Sequence, residues 1–198
     1  MLLPKYMRKY ISSDFAVTDA SAGRDPDYTE HAVVGIGSDD VAYVVDWWSG
    51  QKTADVWIEA LIDLVDKHKP DCWFGESGVI RRAVEPLMTR MVQDRRVWFR
   101  QEWVTSVADK TVRARSLQAW SSMGKVVFPR TTWADRVIDQ LVAFPQGNHD
   151  DAVDALSLLF MAIDMAHPAV VPSSEQKTLD RYRLRQTQDQ GHSAWRTK

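Results

Sequence analysis

Three acidic positions sit where the surrounding sequence disfavours an acid. Asp14 lies within the strand-forming run Tyr10-Ile11-Ser12-Ser13-Asp14-Phe15, and aspartate is depleted in strands. Glu76 ends the short apolar run Cys72-Trp73-Phe74-Gly75, just before the chain turns at Ser77-Gly78. Asp151, with Asp150 and Asp154 beside it, opens an otherwise apolar helical stretch, NHDDAVDALSLLFMAI. Carboxylates that converge from distant parts of a chain repel one another unless cations hold them, and ligation by oxygen alone suits Mg2+ or Mn2+. The chemistry on offer is that of a divalent-cation site.

Each acid also has a plainer account. Asp14 could be a strand-end residue, and Glu76 could serve the N-terminus of the helix that follows it. Asn148 is a good N-cap, and acids in a first turn favour the helix dipole. One or two acids would meet that need, however. Asp151 and Asp154 stand at i, i+3 on one face, and Asp154 falls where the helix should bury itself. An unpaired buried carboxylate is strongly destabilising, so a metal accounts for it better. His149 could be an outer ligand, a proton carrier or an ordinary helix-start residue.

Other chemistries find little support. There is no GxxxxGK[ST] loop, so no nucleotide site of that kind is expected, and Gly35-Ile36-Gly37 lacks both the third glycine and the following helix of a dinucleotide fingerprint. The five histidines are scattered with no HExxH pair, and no GxSxG elbow is present. The single cysteine, Cys72, excludes an internal disulfide or a cysteine-based zinc cluster and fits a reducing, intracellular setting.

The elements that must position these acids follow from apolar spacing. Strands are expected over residues 9–17, 31–37, 41–48, 71–76, 96–103 and, briefly, 125–128, with the second and third forming a hairpin. Helices are expected over 53–67, ended by Pro70, then from 79 to about 91, over 108–123, 133–142 and 148–165. The helix after the third strand lets the fourth return beside the first and parallel to it, making Asp14 and Glu76 neighbours. The last helix could then bring Asp151 alongside. This is a mixed α/β sheet with helices packed on it. From about residue 167 the pattern decays, so we expect a domain over 1–166 and a flexible tail over 167–198.

A chain of 198 residues, 44% hydrophobic and 26% charged, is an ordinary globular composition for one domain with a tail. No apolar stretch is long enough to span a membrane, and no secretory signal is visible. The net charge of −2 says little, but its distribution is uneven. Residues 14–71 hold 13 acids against 4 bases, whereas 78–115 hold 9 bases against 4 acids. Either a polyanion lies on the second stretch, or both are simply solvated helix faces. Eight of the nine tryptophans fall within expected elements, where packing is a commoner role than base stacking.

Taken together, five segments resemble one family. They are Tyr10-Ile11-Ser12-Ser13-Asp14-Phe15-Ala16, Asp27-Tyr28-Thr29, Gly75-Glu76-Ser77-Gly78, Asp109-Lys110-Thr111-Val112-Arg113-Ala114, and the closing run from Phe144-Pro145-Gln146-Gly147 through Asn148-His149-Asp150-Asp151 to Asp154-Ala155-Leu156. In order and spacing they look like the nuclease domain of a tailed-phage terminase large subunit, over about residues 8–165. The resemblance implies an RNase H-like fold whose central sheet has five strands, the second antiparallel to the rest. It also implies a metal-dependent endonuclease that cuts concatemeric viral DNA during packaging. By motif position, Asp14, Glu76 and Asp151 match the three catalytic, metal-holding acids. Asp154 matches the last acid of the DxxDAL pattern in Holliday-junction resolvases, and Asp150 lies beside the set. Glu76 stands where many members carry aspartate.

The expected mechanism is two-metal phosphodiester hydrolysis, with one Mg2+ or Mn2+ between Asp14 and Asp151 and a second between Asp14 and Glu76. Lys110, Arg113, Arg115, Arg81 and Arg82 would hold the backbone of double-stranded DNA, with little sequence preference. The resemblance further implies a terminase ATPase domain, a small terminase subunit and a portal or procapsid as partners, in the cytoplasm of a bacterial host. A complete large subunit carries the ATPase ahead of the nuclease, so a fragment and a separate nuclease both stay open. A branched-DNA resolvase on the same scaffold and a non-catalytic DNA- or capsid-docking module are the competing readings.

Overall fold

In the computed structural model, residues 3–16, 27–105, 109–147 and 149–163 are described. The expected tail lies outside them, as do Val17, Asn148 and most of the loop after the first strand. The elements are β1 (Met7–Asp14), β2 (Thr29–Gly37), β3 (Ala42–Gly50), α1 (Ala54–His68), β4 (Cys72–Glu76), α2 (Val79–Arg95), β5 (Gln101–Val104), α3 (Lys110–Arg113), α4 (Arg115–Ser122), β6 (Val126–Val127), α5 (Thr132–Ala143) and α6 (Asp151–Ile163). They build one sheet in the order β5-β4-β1-β2-β3-β6. β2 pairs antiparallel with both β1 and β3, whereas β1 with β4, β4 with β5 and β3 with β6 pair in parallel. The fourth strand has thus returned beside the first as expected, through the α1 crossover.

Alternation along the strands divides the apolar residues between two layers. Tyr10, Ala32, Val34, Ile36, Cys72 and Phe74 face α4, α5 and α6. Ile11, Val33 and Trp73 face α1 and α2. α6 is apolar nearly all round, since Ala152, Val153, Ala155, Leu156, Leu158, Leu159 and Phe160 are all buried. A helix of that kind belongs inside a layer rather than on its surface. Ser12 Oγ donates to the Ala155 carbonyl at 2.7 Å and pins α6 to the central strand.

Gly75 is the one position in β4 where a side chain has no room, because a Cβ there would run into the rings of Trp73 and Trp103. On that same face a fully satisfied relay ties four elements together. Trp73 Nε1 donates to Ser13 Oγ at 2.8 Å, and Ser13 Oγ lies 2.7 Å from His31 Nδ1. His31 Nε2 lies 2.8 Å from the Trp57 carbonyl. A carbonyl can only accept, so Nε2 carries the proton and Nδ1 accepts from Ser13.

The sheet differs from the expected five strands by β6, a two-residue strand that pairs only with Ala42 and Tyr43 of β3. The single helix expected over 108–123 is two, α3 and α4, meeting at Ala114. α6 begins at Asp151, and Asn148, the expected cap, lies outside the described residues. β5 is shorter than expected, because Arg96 takes a left-handed conformation at the end of α2 and delays the strand to Gln101. Trp57 and Trp73 are core residues as expected, whereas Trp98 is 70% exposed.

Candidate active site

Strand parity decides which carboxylates meet. Tyr10, Ser12 and Asp14 share one face of β1, and Cys72, Phe74 and Glu76 share the same face of β4. The parallel register pairs Ser13 with Gly75, so Asp14 and Glu76 follow as the next step at the carboxyl ends of adjacent strands. On the other side of β1, Asp14 pairs directly with Glu30 of β2. α6 packs across this face with its amino terminus toward the same edge and supplies Asp151 and Asp154 from its first turn.

Two features hold the start of α6. Gln140 Oε1 of α5 accepts from the Ala152 backbone N–H at 3.1 Å, meeting one of the donors a helix start leaves over. The Tyr28 backbone N–H donates to Asp151 Oδ2 at 3.2 Å, joining the entry of β2 to the helix.

The crowding of these acids shows in their protonation. Asp14 is held well above the ordinary carboxylate range, first by burial and then by the charges of Asp154, Asp151 and Glu76, against a smaller pull from Lys110. Asp151 is pushed up to about 6, chiefly by burial, with Asp27 and Glu30 adding to it and the Tyr28 N–H and His149 opposing. Such carboxyls are poised to exchange protons for cations.

Cations of the chain already answer part of this charge. Lys110 Nζ reaches both oxygens of Asp150 at 2.9 Å and Asp154 Oδ2 at 2.9 Å. Arg113 bridges Glu76 Oε1 at 3.2 Å and Asp154 Oδ1 at 3.1 Å. Partial burial works to lower the Lys110 pKa, but the hydrogen bonds to Asp154 and Asp150 outweigh it and hold the ammonium above the usual lysine range. Arg81 lies farther out, paired with Glu85 and set over the Trp103 ring. Arg82 and Arg115 are exposed and stand outside the ion pairs of the described residues.

Two acids of the site are not singled out by the sequence pattern of individual residues. Glu30 is fully buried beside Asp14, where Arg136 grips both its oxygens at 2.8 and 3.0 Å while Trp47 Nε1 and Ser49 Oγ donate to it. A signal for it exists, since a glutamate in the wholly buried strand TEHAVVGIG is as misplaced as Asp14. Asp27 forms a second group with His149 and Asp151, each offering one ligand atom, all within 4.8 Å of one another. The Tyr28 ring meets the His149 imidazole edge-on, with centroids 5.9 Å apart.

The oxygen-rich donor set, the upward-driven carboxyls and the two cations standing among them all fit divalent metal ions. Asp14 feels the charges of Glu76, Asp151 and Asp154, whereas Asp27 and His149 gather with Asp151.

A family model described as the terminase RNaseH-like domain matches residues 13–163. No curated protein sequence matches the chain. Among solved structures, the large terminase nuclease of thermophilic phage G20c with bound magnesium is similar at 16% identity and a TM-score of 0.56, over 78% of this chain and 81% of that one. The nuclease domain of the Thermus phage P74-26 large terminase is similar at 16% identity and a TM-score of 0.52, over 77% of each chain. The large terminase of another thermophilic bacteriophage is similar at 14% identity and a TM-score of 0.56, over 82% of this chain but 40% of that longer one. At these identities the likeness establishes a shared fold.

Proposed function

Since the chain belongs to the terminase RNaseH-like domain family, we propose that it is a divalent-metal-dependent endonuclease that cuts concatemeric viral double-stranded DNA during genome packaging. The observation that carries this reading is the convergence of Asp14, Glu76, Asp151 and Asp154 at the carboxyl ends of β1 and β4, where burial and mutual repulsion hold the Asp14 carboxyl well above its ordinary range. A purely structural cluster would be expected to neutralise itself, and this one does so only in part.

Asp14, at the centre, would contact both of two Mg2+ or Mn2+ ions, with Asp151 completing one position and Glu76, with Asp154, the other. Asp27 and His149 extend the Asp151 side. The ions, when bound, would lower the pKa of the attacking water and offset the charge that builds at phosphorus. The residues of the chain orient and confine. The Tyr28 N–H and Gln140 fix where Asp151 points, and Arg136 keeps the neighbouring Glu30 from adding an uncompensated charge. Lys110, Arg113 and Arg115 near the acids, with Arg81 and Arg82 at the start of α2, would hold DNA phosphates, which carry no sequence information. The bound magnesium of the G20c nuclease is in keeping with this donor set. The ATPase domain, small subunit and portal or procapsid enter as partners through family membership, and the host cytoplasm as the place of action.

Incubating supercoiled plasmid with the protein and Mn2+ or Mg2+ should yield nicked and linear products. Asp14→Asn should reduce the rate on the order of 10²-fold or more, the scale of losing one electrostatic contact in a transition state. Cutting that persists in this variant defeats the reading. A four-way junction cleaved in preference to linear duplex would point instead to a resolvase.

A further inference from the structure

Lys110 and Arg113 occupy the carboxylate oxygens that a second divalent ion needs. Between them they engage Glu76 Oε1, both oxygens of Asp154 and both oxygens of Asp150. No oxygen of Asp154 is left without a cationic nitrogen near it. By contrast Asp27, His149 and Asp151 offer three ligand atoms within 4.8 Å of one another. The two halves of the acid cluster are therefore unlike, since the charge of Asp154, Asp150 and Glu76 is met by a lysine and an arginine.

The filled half is also incompletely satisfied. The Arg113 side chain is only 11% exposed, yet its Nε finds no hydrogen-bond partner among the described residues. A buried donor left unmade is costly, so this arrangement sits above its best attainable energy. The element carrying both cations is slight. α3 is a single turn of four residues, held to the acids through Lys110 and Arg113.

We propose that Lys110 and Arg113 act as placeholders that keep the second divalent ion out until DNA arrives. Resting on the nuclease reading, this inference adds an order to it. Backbone phosphates draw the ammonium and guanidinium off Glu76, Asp154 and Asp150, and a phosphate can also satisfy Arg113 Nε. The vacated oxygens then take the ion. Because linkage is reciprocal, the ion in turn favours bound DNA, and the loaded site forms only on substrate. A protein without DNA is thereby kept from holding a complete, indiscriminate hydrolytic centre.

The test reads metal binding without DNA and without turnover. Free Mn2+ is followed by electron paramagnetic resonance during titration of the wild type, Lys110→Ala, Lys110→Arg and Arg113→Ala. We expect one tighter and one much weaker site in the wild type. In Lys110→Ala and Arg113→Ala the weaker site should tighten about tenfold, the worth of releasing roughly one charge-assisted hydrogen bond. Lys110→Arg, which keeps the charge, should stay close to wild type. The Lys110 side chain is half exposed, so its removal should leave the fold intact should Arg113→Ala not fold. Identical Mn2+ affinities in all four proteins, with binding still weakened by Asp14→Asn, overturn the placeholder role and leave the nuclease reading standing. Failure of every protein to bind Mn2+ overturns both.

Discussion

At the scale of single residues, the informative signal is a charged side chain where the local pattern requires an apolar one. Asp14 in β1 and Asp154 in α6 are legible in this way, and they meet in space. Glu30 carries the same signal inside β2 but does a different job, because Arg136 reaches it from α5, more than a hundred residues later. That partner cannot be read from spacing, since it depends on how α5 lies across the sheet. Replacing Arg136 by alanine leaves a fully buried carboxylate beside Asp14 with Trp47 and Ser49 as its side-chain donors among the described residues. Chemical denaturation should show a loss of about 1–3 kcal/mol, less than for a fully buried pair because the Arg136 side chain is 35% exposed. A loss well under about 1 kcal/mol would mean that the Arg136 contacts contribute little to the fold. His31 yields a second prediction. Burial holds its imidazole down to about 4, against backbone hydrogen bonds that work the other way. A base whose folded pKa is depressed lends stability above its unfolded value of 6.5, and that stability is lost as pH falls toward 4. The contribution is at most about 3 kcal/mol. Stability of His31→Gln, measured from pH 7 to 4, should therefore fall less steeply than that of the wild type. Parallel curves would place the acid sensitivity elsewhere.

Elements were legible where their periodicity was strong and blurred where tertiary contacts set the ends. The hairpin of β2 and β3, the α1 crossover and the parallel return of β4 follow from apolar spacing and from the right-handed crossover rule. The division of α3 from α4 does not. The break falls at Ala114, whose N–H closes α3 on the Lys110 carbonyl at 3.0 Å while its own carbonyl accepts from Gln118 N–H at 2.8 Å, and no breaker residue marks it in the sequence. β6 was visible as a short strand, but its pairing depends on Ala42 N–H donating to the Lys125 carbonyl at 2.8 Å, a contact between distant parts of the chain. α6 is the element on which the site most depends, since its apolar body fixes where its acidic first turn lies. Leu156 is fully buried, five residues beyond Asp151 and two beyond Asp154. Leu156→Ala should cost about 2–5 kcal/mol in stability. Its plasmid cleavage should also fall at temperatures where it remains folded, because the turn carrying both acids loses its support. Full activity in a destabilised variant would show that the Tyr28 and Gln140 contacts alone suffice to place Asp151.

Across the whole molecule, the uneven charge of the sequence resolves into two different uses. Part of it is helix matched to helix. Arg95 at the end of basic α2 reaches Glu59 and Asp63 of acidic α1, the latter at 2.7 Å. These are exposed pairs worth little each. Other cations answer acids within their own segment, as Arg81 does Glu85 and Arg90 does Asp94. The second use is at the carboxyl ends of β1 and β4, where Lys110 and Arg113 meet the carboxylates, while Arg82 and Arg115 are exposed elsewhere on α2 and α4. A basic run in a sequence therefore overstates the surface open to a polyanion, and only contacts across the fold reveal by how much. The consequence is measurable in the salt dependence of duplex binding. Each phosphate neutralised contributes about −0.9 to the slope of log K against log salt concentration. With the five basic residues proposed to hold DNA engaged, that slope should lie near −4 to −5. Arg82→Ala combined with Arg115→Ala removes cations that have no carboxylate to leave among the described residues, and should flatten it by about 2 units without disturbing the acids. Fluorescence anisotropy of a labelled blunt duplex, with EDTA present to prevent cutting, gives both slopes. An unchanged slope in the double variant would put the DNA on a different face from the one that carries Asp14.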